Sequence, residues 1–140
     1  MPVPGRRAAL ADRYLPFLQA VLDDFQVVPI VVGVCPARDV EAVINALWGG
    51  DETVIIVSSD LSHFHAYADA REIDARTTAR IEARETTLQG EEACGAYALN
   101  GLLLAAQAHG LHVHTLDVRN SGDTAGDRRR VVGYGAYAIA

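Results

Sequence analysis

Asp60 and His63 stand three residues apart in the run Val57-Ser58-Ser59-Asp60-Leu61-Ser62-His63-Phe64-His65. A carboxylate beside an imidazole fixes the ring's tautomer and readies it as a ligand, acid or base. The apolar stretch Val54-Ile55-Ile56-Val57 comes just before. The pair therefore falls where a buried strand would end and a helix would begin, the edge at which α/β proteins bind ligands. On one helical turn, i and i+3 side chains face the same pocket. The same residue types have a purely structural use, because Ser59 or Asp60 can cap a helix.

Cys94, in Glu91-Glu92-Ala93-Cys94-Gly95, is the second candidate. A thiol near a helix N-terminus is favoured as thiolate and as a metal ligand. The competing reading is an inert, packed cysteine. Cys35, ahead of Pro36, has no acid or histidine in its pattern and reads as inert. His65 reads as a surface residue. His112 and His114 share a strand face by period two, which suits either a metal pair or an exposed face. His109, before Gly110, suits a helix C-terminus. Asn120-Ser121-Gly122-Asp123 carries turn chemistry and could line a pocket.

The elements that must position these residues alternate. Leu15 to Phe25 has helical spacing, with Pro16 in its first turn. Val27 to Val34 reads as a strand covered on both faces, with Pro29 pushing it late or toward an edge. Val40 to Trp48 reads as a helix closed by Gly49-Gly50. Thr53 to Ser58 reads as a second buried strand. Ala68 to Glu85 and Glu91 to His109 read as helices. Leu111 to Val118 and Val131 to Ile139 read as strands around a polar loop. The expectation is one α/β domain over residues 1–140, a mixed β-sheet flanked by helices. Residues up to about Ala11 are Pro, Gly and Arg rich and are expected to be weakly ordered.

Composition narrows the partners. The 140-residue chain has a formal charge of -6, and half of it is hydrophobic. An acidic surface argues against nucleic acid and anionic membranes. Arg128-Arg129-Arg130 is too short to reverse that and reads as a solvated loop end. No apolar run reaches a membrane span, and the N-terminus lacks a signal-peptide core. Two separated cysteines without a CxxC motif fit free thiols in a cytoplasmic chain.

Several blocks occur together: Leu15-Pro16-Phe17-Leu18-Gln19, Val28-Pro29-Ile30-Val31-Val32-Gly33, Ser58-Ser59-Asp60-Leu61-Ser62-His63, Ala93-Cys94-Gly95, Asn120-Ser121-Gly122-Asp123 and Val131-Val132-Gly133-Tyr134. In order and spacing the chain resembles the C-terminal half of the Memo family, whose prokaryotic members are called AmmeMemoRadiSam system protein B. That family is similar in fold to class III extradiol dioxygenases, which are non-haem iron enzymes. The resemblance implies an α/β sheet with a pocket at its strand ends. It also implies a metal, iron or copper, held by two histidines from the N-terminal half and one cysteine. Cys94 matches that cysteine. Asp60 and His63 match the acid and histidine beside the site, with His63 in an acid/base role. The two ligand histidines have no counterpart here, and Ala9-Leu10-Ala11-Asp12-Arg13-Tyr14 lacks the histidine often found before Leu-Pro-Phe-Leu.

The resulting expectation is a metal-dependent redox or dioxygenase-like protein whose site is incomplete in this chain. A separate N-terminal half or a homo-oligomer would complete it. Radical-SAM and AMMECR-type proteins are the partners that the family name implies. The alternatives are a ligand- or peptide-binding module without catalysis, or an inactive fragment.

Overall fold

The computed structural model describes residues 14–124 and 126–140, so the expectation for residues up to Ala11 lies outside the described residues. The chain divides into two compact units, Met1–Gly33 and Val34–Ala140.

In the first unit, helix α1 occupies residues 14–21. The strand expected over Val27 to Val34 does not form: none of these residues joins a ladder. Val28 and Val31 stand exposed rather than covered. A strand needs a neighbour for its N–H and C=O groups, and Pro29 has no N–H to offer.

The second unit opens with α2, Ala37–Ala46. The second expected strand, Thr53 to Ser58, also lacks a ladder. Val54 is 77% exposed, and among the described residues the backbone of 54–57 makes no hydrogen bond. β-branched composition suits a strand, but composition supplies no partner. Among the described residues three strands do pair: β1 (His63–His65), β2 (Val113–Asn120) and β3 (Val131–Ile139), in the order β1-β3-β2, all antiparallel. The α/β class stands, with α3 (Tyr67–Glu82) packed along all three strands and α4 (Ala96–Ala108) against α2.

The core joins Leu61, Ile81, Leu88, Ala96 and Leu103, with Leu99, Val113, Tyr137 and Ile139 packed on it. Gly101 lets α2 and α4 touch: a Cβ there would lie 2.3 Å from the Val40 Cβ. Buried Asn100 closes on one residue, accepting the Leu88 N–H at 2.9 Å and donating to its C=O at 3.0 Å. Arg80 ties the same loop to α3 through Glu85, Glu92 and Thr87. Burial pushes the Glu92 carboxyl up, but the Arg80 guanidinium and the Gln89 N–H outweigh it and hold it low. This loop carries Cys94.

β1 pairs irregularly with β3. His63 pairs with Val132 and His65 with Val131, which makes Phe64 an extra residue in a β-bulge. Phe64 has φ 64°, a left-handed conformation that costs a bulky residue about 1–3 kcal/mol.

Candidate functional site

The site is assembled by backbone contacts between two irregular segments. Leu61 N–H donates to the Gly133 C=O at 2.9 Å, and Gly133 N–H donates to the Ser62 C=O at 2.8 Å. These bonds anchor residues 61–62 on β3. Ahead of them, Asp60 and Cys94 bond reciprocally. The Asp60 N–H donates to Cys94 Sγ at 3.2 Å, and the Cys94 N–H donates to the Asp60 C=O at 3.2 Å. Ser59 Oγ closes the clasp: it accepts the Gly95 N–H at 2.9 Å and donates to the Asp60 C=O at 2.7 Å. Gly95 is required by crowding, since a Cβ there would lie 2.7 Å from the Ser58 carbonyl.

Asp60 and His63 do come together, but not on a helical turn. Residues 58–62 carry no helix, and His63 opens β1 instead. The helix-capping use of Ser59 or Asp60 therefore does not arise. Asp60 Oδ2 lies 3.6 Å from His63 Nε2, and both side chains are 37% exposed. Cys94 is exposed and sits two residues before α4, whose N-cap is Gly95. The ligand atoms of Asp60, His63 and Cys94 all lie within 4.8 Å of one another.

These three residues fit part of a metal's ligand set. Bonds of about 2.0–2.3 Å to one ion place its ligands roughly 3–4 Å apart. The Asp60–His63 separation of 3.6 Å is already in that range. Thiolate with imidazole and carboxylate suits iron, copper or zinc better than magnesium or calcium.

The other candidates fall elsewhere. His65, His112 and His114 are exposed. His109 is the C-cap of α4, as its position suggested, and it also stacks on Trp48 with ring centroids 4.0 Å apart and bonds Asn45. Asn120-Ser121-Gly122-Asp123 is a turn, a 3-10 helix (Ser121–Asp123) with a capping box. It latches α3: Tyr67 Oη donates to Asp123 Oδ1 at 2.6 Å. That bond holds the Asp123 carboxyl low and the Tyr67 hydroxyl high. Sequence reasoning missed Phe64, whose bulge has no Gly or Asn to announce it. It also missed Asp74, a buried acid inside a charged helix pattern.

Fold and site together define an α/β protein with an Asp/His/Cys group of metal-ligand type. The chain belongs to the Memo-like protein family, whose pattern matches residues 12–138. It is 31% identical over 139 residues to a MEMO1 family protein of Methanosarcina mazei, covering 89% of this chain and 52% of the relative. It is 33% identical over 135 residues to one of Methanobrevibacter smithii, covering 86% of this chain and 47% of the relative. The chain thus spans about half the length of the curated relatives it matches.

Proposed function

We propose that this chain supplies one wall of a non-haem metal centre with redox or dioxygenase-like chemistry. The observation that carries the reading is the convergence of Asp60, His63 and Cys94 within 4.8 Å. Cys94 is the metal ligand, its sulfur aimed by the Asp60 N–H. His63, partly exposed beside it, holds or moves a proton on its ring, with the Asp60 carboxylate 3.6 Å from Nε2. Iron or copper bound there supplies electron transfer or Lewis acidity. Histidines from another polypeptide segment complete the coordination, as the family resemblance implies. Radical-SAM and AMMECR-type partners and a cytoplasmic location are proposed on that resemblance alone. Among the described residues, no helix is long and apolar enough to cross a membrane.

The test is metal content of the chain purified without oxygen, alone and with a polypeptide corresponding to the rest of the relatives' length. Iron or copper that is retained by the wild type and lost in Cys94→Ser supports the centre. Well-folded protein that takes up no metal in either state rejects it.

A second reading, a peptide-binding module, is favoured by residues 54–57. Their backbone groups, unpaired among the described residues, and the exposed Val54 and Ile56 side chains offer an edge to an added strand. Peptide binding that survives Cys94→Ser would support this reading.

A further inference from the structure

We infer that Arg130 and Phe64 form an oxyanion-binding flank of the site, selecting a ligand that carries a carboxylate or phosphate group. The inference rests on the site reading above and adds a substrate class to it. Phe64 directly follows His63, and the two ring centroids are 5.6 Å apart. Its backbone holds the strained φ of 64°, yet its ring is 62% exposed. Strain that aims a large apolar ring into solvent gains nothing in core packing. It does build a platform beside the site.

The Arg130 guanidinium sits over that platform, 4.9 Å from the ring centroid. Among the described residues it has no carboxylate partner. Neighbouring Arg129 is paired with Asp127. Arg128 is likewise held over a ring, 4.4 Å from the Tyr67 centroid. Arg128 gives its Nε–H to the Gly122 C=O at 3.4 Å, whereas among the described residues the N–H donors of Arg130 stay free in a chain of net charge -6. A guanidinium held over a ring face keeps a planar fork that matches a carboxylate or phosphate. The Phe64 ring lies beside both that fork and the His63 ring, so an anion seated on Arg130 would sit on the flank of the site.

The test is titration of metal-free chain with benzoate and, separately, with inorganic phosphate, followed by NMR of the arginine Nε–H and Phe64 ring signals. Saturable binding is expected, weakened about tenfold or more in Arg130→Gln and unchanged in Arg129→Gln. Binding of benzoate alone assigns a carboxylate ligand, and binding of phosphate alone assigns a phosphate ligand. Either result supports the inference. Wild-type affinity in Arg130→Gln, equal losses in both variants, or no saturation by either anion overturns it. A parallel cobalt titration separates the two readings. Cobalt bound without an Arg130 effect on anions removes only the flank. An Arg130 effect with no cobalt binding, even with the polypeptide corresponding to the rest of the relatives' length present, removes only the metal centre.

Discussion

The Asp74 carboxylate accepts the Ser62 backbone N–H at 3.0 Å, at the point of the chain that separates Asp60 from His63. Asp74 is 2% exposed, and Gly133 makes room for it: a Cβ there would lie 2.0 Å from Oδ2. Asp74→Ala should destabilise the fold by about 1–3 kcal/mol, because a buried N–H loses its acceptor. Asp74→Asn should recover much of that, since its amide oxygen can still accept. Gly133→Ala should cost about 1–3 kcal/mol by overpacking. Urea unfolding of the three variants checks the order; equal losses in Asp74→Ala and Asp74→Asn would mean the hydrogen bond is not what matters.

Cys94→Ser should lower cobalt affinity by about tenfold or more, and Cys35→Ser should leave it unchanged. The readout is the thiolate–cobalt charge-transfer band, absent in the first variant and present in the second. Equal bands would remove Cys94 from the site.

His63→Ala should leave thermal stability within about 0.5 kcal/mol of wild type, as a partly exposed side chain outside the core. Any activity or metal affinity should fall. Global unfolding of this variant would mark His63 as structural instead.

Arg80→Gln should free the loop that presents Cys94, because Glu85, Glu92 and Thr87 lose their common partner. Amide exchange across residues 88–94 should accelerate while β3 stays protected. Unchanged exchange would show that the other bonds, Asn100 to Leu88 and Cys94 to Asp60, hold the loop without Arg80.

The Tyr67–Asp123 bond predicts how stability varies with pH. The Tyr67 hydroxyl lowers the Asp123 carboxyl, so the bond's contribution is present above the ordinary carboxylate range and lost as pH falls through the depressed value. At the alkaline end the raised Tyr67 hydroxyl keeps its proton past the usual tyrosine range, and its contribution is lost as pH rises through that raised value. Tyr67→Phe should flatten both limbs of a stability-against-pH curve. A curve parallel to wild type would show that the latch carries no pH dependence.

The parts of the fold held by local signals could be read from the sequence. The β3 strand falls on Val131–Ile139, the bounds read for the last strand. Gly110, with φ 68°, follows the C-cap of α4. Asp60, His63 and Cys94 were visible as residue types and do converge. Their geometry was not visible, because it depends on non-local bonds: Asp60 to Cys94 across 34 positions, and Ser62 to β3. The runs Val27 to Val34 and Thr53 to Ser58 misled for the opposite reason. Periodicity reports what a strand could bury, whereas a ladder depends on a second strand being there.

The unpaired run 54–57 leads without a break into Ser58, Ser59 and Asp60. That run and the clasp on Cys94 therefore share one continuous stretch of backbone. A strand that pairs with 54–57 and a metal held by Cys94, which is bonded to the Asp60 backbone, would act on one connected piece of structure. Their free energies are then linked: whatever factor the strand adds to metal affinity, the metal must return to the strand.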